Sequence, residues 1–397
     1  TERELSHMNW TRRRTLTSLL GVATTTLAGC LGDNIEDRAL PETPTGTWRQ
    51  IAHDAGNTSV ADVSVPSRAT PAWETGRADT IQPVVAGDQL FSVDGKLRAF
   101  ETQTGDQLWQ TDPEIDDPVG PVTTPAVTAE SVILGTENRL VAFAREDGTT
   151  QWERPLQGMP SGPVTVDRDH QIGIVPVERL TNESVTTELR AFELSSGDHR
   201  WSGPLRISLQ TTPPTVFDKQ VVATGYTDDD VPVLRAFGVT DGEMQWEQEL
   251  DDPETPPVTV QSGVFVGDGG TLRQYSHSGE QLETVADSTD DQPAIAAIAV
   301  ADETAFVLSG DGLSAVSIPD RTNQWHFDAN PQADGICVGQ ETVVAPVSSD
   351  EFDLDTSWPC IAAFDRSDGT VQWYHAFDDA FDPVTTHHPL SLTALSS

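Results

Sequence analysis

Apolar positions in this chain come in short runs broken by turn residues, without the three-to-four spacing of an amphipathic helix. Between residues 83 and 109 the runs are Pro83-Val84-Val85-Ala86, Leu90-Phe91-Ser92-Val93, Lys96-Leu97-Arg98-Ala99-Phe100 and Gln107-Leu108-Trp109, separated by Gly-Asp, Asp-Gly and Thr-Gly pairs. The pattern predicts four short β-strands joined by tight turns. It returns along the chain. Ala99-Phe100 is followed by Gly105 and Trp109, Ala142-Phe143 by Gly148 and Trp152, Ala191-Phe192 by Gly197 and Trp201, Ala236-Phe237 by Gly242 and Trp246, and Ala363-Phe364 by Gly369 and Trp373, always six residues from Ala to Gly and four from Gly to Trp. Two degenerate copies stand between the last two: Gln274-Tyr275 with Gly279 and Glu283, and Ala315-Val316 with Arg321 and Trp325. Seven copies recurring every 38 to 49 residues signal a propeller or a solenoid.

A four-stranded sheet cannot bury both of its faces alone, so the copies are expected to stack around an axis as an all-β propeller. The Gly before each Trp supplies the positive φ of the hairpin between the third and fourth strands. The Trp then lies on the outer strand and fills the space between blades, while the small Ala allows close approach.

This Ala, Gly and Trp skeleton resembles the PQQ-like, quinoprotein-type repeat, whose signature is Ala-x-Asp-x-x-Thr-Gly-x-x-x-Trp. Thr precedes Gly at Thr104, Ser at Ser196, and Asp at Asp147, Asp241 and Asp368; the signature's Asp position is acidic at Glu101, Glu193 and Asp365. The resemblance covers roughly residues 47 to 390. Trp48-Arg49-Gln50, Asn57-Thr58 and Pro71-Ala72-Trp73 are also similar to the opening of membrane-tethered members, outer-membrane assembly lipoproteins among them. The docking tryptophans are then Trp73, Trp109, Trp152, Trp201, Trp246, Trp325 and Trp373. With Trp73 as a further docking residue, eight blades are expected, the closing one split between residues near Trp73 and segment 376–397; a seven-bladed ring is the second choice.

Charge narrows the partners. The chain has 63 Asp and Glu against 23 Lys and Arg, a net charge of −40, which excludes nucleic acid and anionic membrane surfaces as partners of the folded face. Lys96 and Lys219 are the two lysines. Near-absence of Lys beside abundant Asp, Glu and Thr resembles proteins of salt-loving archaea, and at roughly molar salt a Debye length of about 3 Å removes most of the self-repulsion.

Residues 1–29 read as a secretory signal: Thr11-Arg12-Arg13-Arg14-Thr15-Leu16, a short apolar stretch, then Leu27-Ala28-Gly29-Cys30. Arg12 and Arg13 resemble the twin-arginine export pair, although Thr15 stands where that motif usually has Phe. Leu-Ala-Gly-Cys resembles a lipobox, with Cys30 as the lipidated residue. Residues 30–46 read as a tether and 47–397 as the propeller. This implies a lipid-anchored protein on the outer face of the cell membrane.

Catalytic signals are sparse. Quinoprotein dehydrogenases of the resembled family hold PQQ beneath a ring of adjacent cysteines, with calcium on carboxylates; no Cys-Cys pair occurs here. Cys337 and Cys360 fall two strand spacings apart and are expected as buried thiols. His387-His388, Asp228-Asp229-Asp230, Asp251-Asp252 and Asp290-Asp291 lack the spacing of metal sites. Asn57 and Asn182 open glycosylation sequons. The expected function is a non-catalytic scaffold binding unknown protein partners at the cell surface, without catalytic, cofactor or metal residues. The alternative is a PQQ- and calcium-dependent alcohol or sugar dehydrogenase using the central funnel.

Overall fold

Burial falls from the inside of each repeat to its outside. In the second repeat Ser131–Thr136 is buried at every position, whereas Thr150–Pro155 fully buries only Trp152. That gradient suits sheets standing edge-on to a common axis, with their outer strands at the rim. The computed structural model describes residues 39–40, 46–65, 72–73, 81–113, 123–180, 185–205, 212–227, 229–286, 294–331, 335–348, 352 and 359–376.

Seven antiparallel sheets follow one another along the chain, each running in sequence order from an inner to an outer strand. Blade 1 comprises Val84–Ala86, Gln89–Val93, Leu97–Glu101 and Gln107–Thr111, and blade 2 Ala126–Val127, Ser131–Thr136, Arg139–Ala144 and Thr150–Pro155. Blade 3 has a split inner strand, Met159–Pro160 and Thr165–Asp167, then Ile172–Leu180, Val185–Glu193 and His199–Pro204. Blade 4 is Thr215–Phe217, Gln220–Tyr226, Pro232–Gly238 and Met244–Glu249. Blade 5 has Val258–Val260, Gly263–Asp268 and Thr271–Tyr275, its outer position held by isolated bridges from Gln281 to Tyr275 and from Ala286 to Leu272. Blade 6 is Ile295–Ala301, Thr304–Ser309, Gly312–Ser317 and Thr322–Asp328, and blade 7 Cys337–Val338, Thr342–Ser348, Pro359–Asp365 and Val371–Ala376.

The core lies in the seams. Six buried clusters each join one blade to the next, and a seventh joins Cys337, Val344 and Ala363 of blade 7 to Trp48, Ala61 and Val63 of the N-terminal segment. Each repeat Ala stands directly opposite its Trp, as Ala99 to Trp109 and Ala236 to Trp246, and a bulge follows the Ala. That register aims the indole across the seam. A Cβ on Gly242 would lie 2.5 Å from the Trp201 ring, and one on Gly148 2.6 Å from Trp109, so each glycine both turns its own hairpin and seats the previous blade's Trp. The indole N–H then donates to a carbonyl of that next hairpin: Trp109 to Arg145, Trp152 to Leu194, Trp201 to Val239, Trp246 to His277 and Trp325 to Arg366, all within 2.8–3.1 Å.

Two seams depart from this rule. Blade 5 has Glu283 at the Trp position, and blade 6 has Arg321, at φ 55°, in place of the glycine. Arg321 reaches back to Gln274 of blade 5 at 2.6 Å, so an arginine from one side occupies the place a tryptophan from the other would fill. At the closing seam Trp73, outside any strand, lies on Gly105 and donates to Thr102 at 3.1 Å, while Trp373 packs in the cluster around Trp48.

The ring therefore has seven blades, not eight. Trp73 does seat on a hairpin glycine, but seating needs one indole and not a sheet, so its presence does not imply another blade. The two-residue strand Thr47–Trp48 adds to the inner edge of blade 1 instead of starting a new sheet. Segment 377–397 lies outside the described residues.

Candidate functional site

The inner strand of each blade leaves one edge facing the axis, and its amides need acceptors. Residues 47–61 supply them in order around the ring. Thr47 and Trp48 pair with Ala86 and Val85 of blade 1. Arg49 accepts from Val127 of blade 2 at 2.7 Å, and the Gln50 side chain accepts from Val166 of blade 3 at 2.8 Å. Ala55 accepts from Val216 of blade 4 at 2.6 Å, Gly56 from Thr259 of blade 5 at 2.8 Å, and Thr58 from Val300 of blade 6 at 3.2 Å. Ser59 and Ala61 bracket Val338 of blade 7, both at 2.9 Å. One continuous stretch of chain, by its backbone and the Gln50 side chain, thus touches all seven blades from inside.

Fitting so tight a path takes unusual backbone. Ala52, His53, Asn57 and Ser59 have φ of 51°, 78°, 54° and 55°. Such conformations persist where the surroundings over-determine them. Asp54 ties the turn by accepting from the Thr58 amide at 3.0 Å and its hydroxyl at 2.6 Å. A Cβ on Gly56 would come within 2.6 Å of the Thr259 carbonyl. Asn57 is 1% exposed and donates its amide to Pro213 and Pro257, each at 3.1 Å, and to Pro214 at 3.4 Å. The sequon expectation fails there: the nitrogen a glycan would occupy is turned into the protein and engaged by blades 4 and 5.

Asn182, Cys30, Arg12, Arg13, His387 and His388 lie outside the described residues. Cys337 and Cys360 are both buried and are not joined in a disulfide. Cys337 sits opposite Val344 and Cys360 opposite Val347, on strands flanking the same central strand. Burial pushes the Cys360 thiol up to about 12, which keeps it protonated and unreactive. The amides of Asp251 and Asp252 donate to Asp268, fully buried, which also receives Arg273 at 3.1 Å. This buried carboxylate fastens the link from blade 4 to the hairpin between the second and third strands of blade 5.

The described residues assemble no donor set that fits PQQ with calcium. The two described cysteines sit on separate strands, no group of three or more His, Cys, Asp or Glu among the described residues has metal-binding geometry, and residues 47–61 hold the inner edges. Sequence reasoning treated Trp48-Arg49-Gln50 and Asn57-Thr58 as a family resemblance and missed their path around the axis. The local signal available was the compact Asp54-Ala55-Gly56-Asn57-Thr58, a turn-forming cluster ahead of the first repeat.

A family model described as outer membrane protein assembly factor BamB matches residues 48–177 and 232–387. The outer membrane protein assembly factor BamB of Burkholderia pseudomallei (strain K96243) is 24% identical over 253 residues, which covers 60% of this chain and 64% of that one. The chain therefore spans less than two thirds of that relative. The crystal structure of BamB from Moraxella catarrhalis superposes with TM-score 0.54 at 14% identity, over 76% of this chain and 86% of that one. The quinohemoprotein alcohol dehydrogenase ADHIIG from Pseudomonas putida HK5 gives TM-score 0.57 at 10% identity, over 84% of this chain and 72% of that one. At these identities the structural likeness is one of fold. By its repeats, its seven sheets and the family match across most of its length, the chain belongs to the PQQ-like β-propeller family described as outer membrane protein assembly factor BamB.

Proposed function

We propose that this protein is a membrane-tethered, extracytoplasmic propeller that binds or assembles other proteins and performs no catalysis. The observation that carries the reading is the segment 47–61 hydrogen-bonded to all seven inner strands. With the axis served by the chain itself, the rim and the two faces remain as binding area. The name of the Burkholderia relative, an assembly factor, supports protein partners. A lipid on Cys30, delivered through an Arg12-Arg13 export signal, would supply membrane contact that a chain of net charge −40 does not make through its own surface. The quinone dehydrogenase reading is set aside because the donor set for PQQ and calcium does not fit, and fold likeness alone does not carry activity.

The test uses the full chain in its own host with an affinity tag, cross-linked on intact cells. Discrete protein adducts are expected, together with release of the Cys30→Ser variant from the membrane fraction. In parallel, PQQ and calcium are titrated into the purified protein in molar salt. Saturable Trp quenching with dye-linked oxidation of alcohols or sugars would overturn the proposal.

A further inference from the structure

Most of the described arginines meet a carboxylate. Arg98 pairs with Asp94, Arg139 with Glu153, Arg154 with Asp198, Arg200 with Glu193, Arg235 with Glu247 and Arg366 with Asp302. With 63 acidic residues and 23 basic ones, that is the expected outcome. Among the described arginines Arg49, Arg168 and Arg321 pair with no carboxylate, Arg168 and Arg321 donating instead to Val127 and Gln274, and the Arg49 Nε is buried without an acceptor.

Two further guanidinium groups converge on the same corner. Arg145, from blade 2, donates through Nη2 to the Ala86 carbonyl at 2.5 Å and through Nε to Gln89 at 2.7 Å. Ala86 is paired with Thr47, two residues before Arg49. Arg168, from blade 3, donates to the Val127 carbonyl at 3.0 Å, and the Val127 amide donates to the Arg49 carbonyl at 2.7 Å. The three cations therefore sit around the adjoining inner ends of blades 1 and 2. Burial, then the charge of Arg145, lowers the Arg49 pKa; burial, then the charge of Arg49, lowers that of Arg168 against the opposing charge of Asp54.

The donors here also lack acceptors. Trp48 Nε1, Arg49 Nε and Gln50 Nε2 are consecutive, buried and unpartnered, and Trp48 and Gln50 are only 3% and 2% exposed. A buried Arg49 Nε without an acceptor, near two further cations, calls for an acceptor with negative charge. The nearby acids supply only part of it: Asp88 pairs with Arg145 and the charge of Asp54 acts on Arg168, but neither pairs with Arg49. Asp88 is 69% exposed and lies 3.2 Å from Arg145, Asp54 is engaged by Thr58 and lies 3.5 Å from His53, and Asp167 is paired with His170 at 2.5 Å.

We propose that Arg49, Arg145 and Arg168 form a binding site for one oxyanionic group, a carboxylate or a phosphate. The site stands apart from the scaffold reading and holds whether or not the protein has protein partners. The experiment titrates sodium acetate and, separately, inorganic phosphate into the whole protein at fixed molar chloride, followed by calorimetry and, for phosphate, by ³¹P line width. The expected result is saturable one-to-one binding of at least one anion, with the preferred arm naming the class. Arg49→Gln and Arg168→Gln should each weaken it about tenfold or more, and Arg49→Lys, which keeps charge but loses the planar fork, by less. Arg366→Gln, whose guanidinium already pairs with Asp302, should leave it unchanged, and unfolding midpoints show whether each variant is folded. No saturable binding of either anion to folded protein, or binding unaffected by Arg49→Gln, overturns the proposal.

Discussion

Asn57 shows how one side chain couples parts of the chain far apart. Its amide satisfies carbonyls of Pro213, Pro214 and Pro257 while its backbone holds φ 54°, a conformation Asn tolerates better than most residues. Asn57→Ala removes the donor and adds backbone strain, so a loss of about 3 kcal/mol is expected in urea unfolding at high salt. Asn57→Asp is expected to cost more at neutral pH, because a buried carboxylate would face carbonyl oxygens and its pKa would rise in the folded state. A raised folded pKa gives stability that is present below the unfolded value and lost as pH rises, so the gap between the two variants should narrow on acidification. A gap independent of pH would refute that account. Cys360 has the same sign: its neutral thiol favours the fold below about pH 9, and the benefit fades as pH climbs toward 12.

At the scale of the element, the unit of stability is the seam. In a regular seam a glycine without a Cβ receives an indole, and the indole's N–H ends on the receiving hairpin. Trp201→Ala should therefore cost about 3–5 kcal/mol, the range for emptying a buried aromatic site. Gly242→Ala should approach that loss, since the new methyl would lie 2.5 Å from the Trp201 ring at φ 69°. Arg321→Ala at the irregular seam should cost about 1 kcal/mol, the worth of one partly exposed hydrogen bond. Denaturant midpoints of the three variants test the order; a loss at Arg321 equal to that at Trp201 would contradict it. The repeat spacing made the regular seams legible because Ala, Gly and Trp lie within eleven residues of one another. The substitution of Arg321 for the glycine was visible as a degenerate copy, yet its contact with Gln274 was not, since that contact spans 47 residues.

For the whole molecule, a net charge of −40 sets long-range repulsion against a core divided among seven seams. Salt acts on both the repulsion and the surface ion pairs, but exposed pairs contribute about 0–1 kcal/mol each and the uncompensated charges far outnumber them. The thermal midpoint should therefore rise steeply from about 0.1 M to about 2 M KCl, as the Debye length shortens from about 10 Å to under 3 Å. A flat profile in circular dichroism melts would refute this. The sequence by itself determined the all-β class, the seven repeats, the four-strand pattern of the regular blades and the buried thiols, because each follows from spacings shorter than one blade. Trp73 misled the blade count because a docking residue carries no record of whether a sheet stands behind it. The closure of the ring was decided in three dimensions alone. Residues 47–61 touch every blade through a few scattered hydrogen bonds, most on backbone groups every sequence possesses and the rest on the lone side chains of Gln50 and Asn57, which reaches across 156 and 200 residues, so they leave no periodic trace.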